Sequence, residues 1–335
     1  MNIKDKKKQV TKLFSNIHSE ICTIATNYEI EKEDKETSMS RRLAKHYDSP
    51  YVQRTDQPKR RKNLFTVDEW KKKELGSGKS VIVDKGEFFD KAGINFSKIS
   101  GESLPKSSVG NKDKSTKLPF FATGVSVVFH PKNPNIPTAH FNIRYFCTLK
   151  NGEVFEEWFG GGYDLTPYIL YEEDCIQWHS GAKSACGPLY SKFKKNCDDY
   201  FYLKHRKEHR GIGGIFYDKE ETKNWDFKDG LIFSEAVYTC FMNVYCEIMD
   251  RRKNLAFSAR DYEFQRFRRG RYVEFNLIYD RGTLFGLQTG GRIESILMSL
   301  PNSVDWRYKF DENLTQKEKK LYEAIKNPKD WIDGS

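Results

Sequence analysis

The sequence predicts an α+β protein, a layered fold built on an antiparallel sheet. Three observations carry this reading. Several short runs alternate apolar and polar residues with the period of a half-buried strand, two of them joined by a proline-rich loop of hairpin length. Segments with helical spacing gather in blocks instead of alternating one for one with the strands.

Along the chain, residues 7–28 place Val10, Leu13, Phe14, Ile17, Ile21 and Ile24 at helical spacing, so an N-terminal amphipathic helix within 1–28 buries one face. Residues 29–64, including "RRLAKHYDSPYVQRTDQPKRRK" at 41–62, are polar and proline-punctuated and read as a basic flexible insertion. Globular composition resumes at "FTVDEW" and runs without linker or repeat to residue 332, so 65–332 reads as one domain. Within it "GVSVVFH", "AHFNIRYF", "EVFEEWF", "GGIFYD", "RYVEFNLIYD" and "TLFGLQ" read as strands. Helical patterns fall at about 168–184, 189–206, 231–254, 258–269 and 315–326, and Ser258 with Asp261 and Thr315 with Glu318 have the form of capping boxes.

Bulk composition narrows the class. The 335 residues include no apolar run of the roughly 18 to 20 residues that crosses a bilayer. The opening "MNIKDKKKQVTKLF" lacks the apolar core of a secretory signal, so no export is expected. Seven scattered cysteines, an odd number with no CxxC, read as reduced thiols of an intracellular protein. The formal charge of +10 sits largely in the basic insertion, whose alternative reading is a nucleic-acid arm.

Two motifs are set aside. "LGSGKS" at 75–80 has Lys73 where a phosphate-binding loop requires its first glycine, and the following "VIVDKG" reads as extended. "HRKEH" at 205–209 satisfies the HxxEH zinc-peptidase pattern, but the glycines of "RGIGG" should end any helix within a turn, so a charged helix end is expected.

Three clusters carry chemistry. In extended strands His140, Asn142 and Arg144 share one face, and Ser126 and His130 share a face of the preceding strand, so antiparallel pairing makes one polar wall. Solvent faces of sheets usually carry Lys, Glu and Thr; His, Asn and Arg orient ligands, and Arg can take a carboxylate in a fork. "WFGGGYDLTPY" at 158–168 sets three glycines before Asp164, which could bind N–H groups of a heteroaromatic ligand or act as a base. In 272–301, Glu274, Asn276 and Asp280 alternate with apolar residues, and Gly290, Gly291 and Arg292 stand at the expected start of a helix, where an anion is favoured. Together with Arg144 this implies a ligand with more than one acidic group.

These segments, with "KFKKNCDDYFYLKHR", "RGIGGIFYD", "RRGRYVEFNLIYDRGTLFGLQTGGRIESILMSLP" and "NPKDWI", closely resemble the oxygen-dependent coproporphyrinogen III oxidases over about residues 65–332. The resemblance implies a flat antiparallel sheet sandwiched between helix layers, a homodimer, and oxidative decarboxylation of two propionates of coproporphyrinogen III to vinyl groups in haem biosynthesis. O2 is then co-substrate and no cofactor is required. It implies His140 as proton donor; Ser126, Asn142, Arg144, Gly290, Gly291 and Arg292 as substrate contacts; and Asp164, with Asp280 and Arg281, as groups that hold pyrrole nitrogens or take a proton. Residues 88–97 and 272–307 match subunit contacts, and His130, His140, His179 and His205 match positions assigned to a divalent ion in some members. The compartment it implies is the cytoplasm or the mitochondrial intermembrane space, with no nucleic-acid partner. The basic insertion, "ELGSGKS", "SACGPLY" and His209 depart from the family pattern.

Overall fold

Seven strands form one antiparallel sheet in the order β1, β2, β3, β4, β5, β6, β9: β1 (Phe65–Lys72), β2 (Gly76–Asp84), β3 (Phe89–Gly101), β4 (Phe120–Pro131), β5 (Thr138–Lys150), β6 (Glu153–Thr166) and β9 (Gly213–Tyr217). β7 (Tyr202–Leu203) and β8 (Glu208–His209) make a separate small hairpin. The helices are α1 (Ile3–Ile30), α2 (Glu172–Cys186), α3 (Tyr190–Tyr200), α4 (Lys219–Thr222), α5 (Phe227–Arg252), α6 (Ala259–Ile278), α7 (Arg281–Gln288), α8 (Ile293–Leu297) and α9 (Gln316–Lys326). This computed structural model describes residues 1–30, 65–72, 76–103, 118–288 and 291–332, so the expected insertion, apart from the end of α1, lies outside the described residues.

Alternation sets the two faces of the sheet. Along β4 and β5 the odd residues Val125, Val127, Phe129, Phe141, Ile143 and Tyr145 are all buried, whereas Gly124, Ser126, Asn142 and Arg144 keep partial exposure. The odd face packs on α1 and α5, with Phe141 stacked on Phe241 at 4.9 Å and Phe129 on Tyr245 at 5.7 Å. α1 buries Val10, Phe14, Ile17, Ile21 and Ala25 in this same core. Its Glu29 carboxylate accepts the backbone N–H groups of Glu87, Phe88 and Phe89, which ties the end of the helix to the start of β3. The helix that the sequence set apart from 65–332 is therefore part of one core.

α2 lies behind α5, and α3 covers the β9 edge, which would otherwise offer unpaired backbone groups. On the even face, α6, α8 and the segment after α8 cover the β1 to β3 side and the 130/138 end: Met298 packs over Gly93, and Arg269 reaches the carbonyl of Pro131 at 2.8 Å.

Several expectations change. "RYVEFNLIYD" and "TLFGLQ" are helical, in α6 and α7, not strands. α6 starts at the capping box of Ser258 and Asp261 and meets no breaker that stops it before Ile278. In a helix Tyr272, Phe275, Asn276 and Tyr279 share a stripe, so the alternation of apolar and polar residues was a weaker signal than the cap upstream. "HRKEH" is no helix end: α3 stops at Tyr200, and His205 and His209 lie in the β7–β8 hairpin, which removes the geometry of a zinc peptidase. "GSGKSVIVD" is strand β2, as the rejection of a phosphate loop required. All seven cysteines are free, and only Cys240 is more than marginally exposed.

Candidate active site

The register of the sheet lines up three rows of side chains on its even face. The central row runs Asp68, Ser80, Asn95, Ser126, Asn142, Gly162, Phe216 from β1 to β9. On one side of it lies Trp70, Gly78, Ser97, Gly124, Arg144, Gly160; on the other Thr66, Ile82, Gly93, Val128, His140, Asp164, Gly214. Glycine, serine and asparagine dominate the middle of this pattern. Beyond the part that α8 and Met298 cover, the result is a strip several strands wide, with about 4.8 Å per strand, that a broad ligand can lie on.

Gly160 and Gly162 are required by the protein itself. Gly162 has φ +153° and a Cβ there would lie 2.2 Å from the carbonyl of Ile215; a Cβ on Gly160 would lie 2.9 Å from Arg144 Nε. The glycine run that suggested close approach of a ligand thus also permits close approach of β9 and leaves room for Arg144.

At one corner of the strip stands a buried charge cluster. Asp164 is 1% exposed, and its Oδ1 receives His140 Nδ1 at 3.0 Å and Arg210 Nη2 at 2.7 Å, while Oδ2 receives Arg210 Nε at 3.2 Å. Arg210 is itself buried, stacks over Phe201 at 4.1 Å and Tyr272 at 4.3 Å, and donates to Asn276 Oδ1 at 2.8 Å. Burial pushes the Asp164 carboxyl up, but the Arg210 charge and the His140 hydrogen bond more than offset this and hold it below the usual carboxylate range. An ionised carboxylate only accepts, so His140 donates through Nδ1. That leaves Nε2 with no partner among the described residues, on a ring that is 24% exposed at the strip.

At the other corner, Arg144 lies over Trp158 and pairs with Asp218 at 3.0 Å. Arg281 reaches the same carboxylate at 3.2 Å and lies over Tyr200 and Phe216, which are stacked at 4.5 Å and wall the end of the central row. Asp280 is engaged by its own neighbours: it accepts from Tyr200 Oη at 2.8 Å and from the backbone N–H of Thr283 at 2.7 Å, so it starts α7.

The remaining candidates spread out. Arg292 sits over the far β1 side, paired with Asp68, and Gly291 closes the turn into α8 by its N–H to the carbonyl of Gly286 at 2.8 Å; Gly290 lies outside the described residues. His130 is fully buried between Thr138 Oγ1 at 3.0 Å and the Ser299 carbonyl at 2.9 Å, and burial together with the Arg269 charge holds it neutral, well below the ordinary imidazole range. It supports the segment that covers the strip. His179 spans Tyr190 Oη and the Ile212 carbonyl, each at 2.9 Å, and burial lowers it to about 3. His205 pairs with Glu274 at 2.7 Å and Tyr279 at 2.9 Å. The four histidines do not converge, and among the described residues no group of three His, Cys, Asp or Glu is arranged to hold a metal ion.

Sequence reading named neither Arg210 nor Asp218, nor the outer positions Asn95, Ser80 and Asp68. For Asn95, Ser80 and Asp68 the signal is the strand register, which continues the row of Ser126 and Asn142; Arg210 and Asp218 flank β9 outside any strand, and no local pattern marks them.

An antiparallel sheet with a small-residue strip, guanidinium groups beside it and a carboxylate-held imidazole offers the groups that a broad ligand bearing several acidic groups would need. Residues 10–331 match the family model described as coproporphyrinogen III oxidase, and the chain belongs to this family. It is thus an oxidoreductase of the haem-forming branch of porphyrin metabolism, and coproporphyrinogen III is the substrate that fits the family. The match starts inside α1, well before the segment in which the sequence alone showed the resemblance. Among the described residues no helix is long and apolar enough to cross a membrane.

Proposed function

We propose that the protein uses O2 to decarboxylate two propionates of coproporphyrinogen III to vinyl groups, giving protoporphyrinogen IX. The observation that carries this reading is the joining of two unlike corners by one strip of small residues, Arg144 with Arg281 at one and His140 held by Asp164 at the other. The strip of Asn95, Ser126 and Asn142 takes the macrocycle face, and Arg144 takes a propionate in a fork. Arg292 serves a second propionate.

Each step removes a carboxylate as CO2 and the neighbouring β-hydrogen with two electrons, which pass to O2. An electron-rich pyrrole can react with O2 directly once its N–H proton is withdrawn, so the reading calls for no cofactor. In the proton transfer we assign His140 Nε2 the role that sequence reasoning gave first to Asp164. Asp164 has both oxygens engaged and its basicity lowered by Arg210, which suits it to fixing the tautomer and orientation of His140.

Exposed Leu277, Ile278, Leu287, Ile293, Trp306 and Tyr308 fall within or next to 272–307, which supports self-association through that segment. The other expected contact, 88–97, falls mostly in the inner strand β3, where Phe89, Ala92 and Ile94 are core residues and offer less surface. A cytoplasmic location is in keeping with seven free thiols.

Incubation with coproporphyrinogen III in air and under argon tests the chemistry. Release of CO2 with vinyl product in air alone is expected; release in neither condition, or equally in both, overturns the proposal.

A further inference from the structure

Arg144 on β5 and Arg281 at the start of α7 converge on a single carboxylate. Asp218 Oδ1 lies 3.0 Å from Arg144 Nη2, and Asp218 Oδ2 accepts from Arg281 Nη2 at 3.2 Å. Among the described residues it is the only ion-pair partner of either guanidinium, whose other side-chain neighbours are the rings of Trp158, Tyr200 and Phe216. Asp218 has a third task, since its Oδ1 accepts the backbone N–H of Lys219 at 2.9 Å in the capping box of α4. Two positive charges thus share one negative charge beside the strip. The side chains are accessible, 37% exposed for Arg144, 63% for Arg281 and 24% for Asp218.

We infer that Asp218 is a place-holding carboxylate, which occupies Arg144 in the ligand-free protein and yields that guanidinium to a carboxylate of the ligand while keeping Arg281 and the cap of α4. The inference rests on the reading that the strip binds a ligand with several propionates. The exchange leaves no stranded charge, because Asp218 retains a guanidinium and a backbone N–H when Arg144 turns to the ligand. It also selects. A bare pair of guanidinium groups takes up any small anion, whereas a pair already holding a carboxylate is opened best by one delivered at high effective concentration on a ligand anchored elsewhere on the strip. Asp218 therefore determines specificity: it discriminates a multiply anchored carboxylate from free anions.

Binding of coproporphyrin III, the air-stable tetracarboxylate, is titrated by its fluorescence in the absence and presence of inorganic phosphate. The wild type is compared with Asp218→Asn, Arg144→Gln and the double variant. Asparagine is as good a helix cap as aspartate, and Asp218→Ser, which also caps, must behave the same way. Asp218→Asn is expected to bind coproporphyrin III about three- to fivefold tighter, the scale of a partly exposed ion pair. Phosphate should compete against it at lower concentration than against wild type, and Arg144→Gln should abolish both gains. Unchanged or weaker binding by Asp218→Asn, with wild type binding and Arg144→Gln weakened, would make Asp218 a fixed strut and overturn the inference alone. If wild type does not bind coproporphyrin III, or Arg144→Gln binds it equally well, the reading of the strip fails first.

Discussion

The two faces of the seven-stranded sheet are built by the same strands and differ by a shift of one residue, yet they do opposite work. Phe141 and Ile143 point into a core closed by α1 and α5 and are fully buried, while His140, Asn142 and Arg144 between them face the strip and stay partly open. One face gains stability from apolar burial. The other forgoes it from β4 to β6, where Gly124, Gly160 and Gly162 carry no side chain to bury. The polar face can dispense with large side chains because the apolar face is well packed: α1 and α5 cover the strands from that side and join them in one core.

That contrast can be broken one residue at a time. The largest effect is expected from His140→Ala, which should lower turnover by about 10²- to 10⁴-fold while the urea midpoint stays near wild type. A variant with near-normal turnover would remove the imidazole from the chemistry. One position along, Phe141→Ala should do the reverse. It empties a fully buried site stacked on Phe241 and should cost about 3–5 kcal/mol of stability, with coproporphyrin III affinity kept by the fraction that remains folded.

The third test uses pH. Burial holds His179 at about 3 and His18 at about 4, and His130 well below the ordinary range, so these rings are neutral in the folded protein and take up protons on unfolding. Their contribution is fully present above about pH 6.5, the unfolded value, and is lost as pH falls below it, by about 1.4 kcal/mol per pH unit for each ring. Urea midpoints compared at pH 7.5 and 5 should show this, and His179→Gln should flatten the slope; an equal slope would exclude His179 as a source. The smallest effect expected is that of Gly160→Val on the polar face. A side chain there collides with Arg144 Nε and Trp158, and should weaken coproporphyrin III binding about tenfold in the same fluorescence titration.

Much of this contrast was legible in the sequence. Alternation in "GVSVVFH" and "AHFNIRYF" placed Ser126, Asn142 and Arg144 on one face, and the register Ser126 to Asn142 and Gly124 to Arg144 bears that pairing out. The capping boxes at Ser258 and Thr315 are formed. What failed was "RYVEFNLIYD": read by alternation it became a strand with Glu274 and Asn276 on a ligand-facing side. As part of α6 its Asn276 instead buttresses Arg210, and Glu274 faces the β7–β8 hairpin. A run of aromatic and β-branched residues fits either period, and the buried Arg268, paired with Glu208, and Arg269, paired with Asp90, are tertiary anchors that no local pattern announces.

The sequence by itself determined which residues alternate, where the capped helices begin, and that His140, Asn142 and Arg144 share one strand face, because strand and cap signals are local and their spacing is fixed by backbone geometry. Only the tertiary structure decided what neutralises each charge. Arg210 crosses 46 positions to Asp164, and Arg281 crosses 63 to Asp218. Such partners are chosen by which elements pack together, and a buried or half-buried ion takes its properties from that choice: Asp164 became the orienter of an imidazole, and Asp218 the counter-ion of two guanidinium groups.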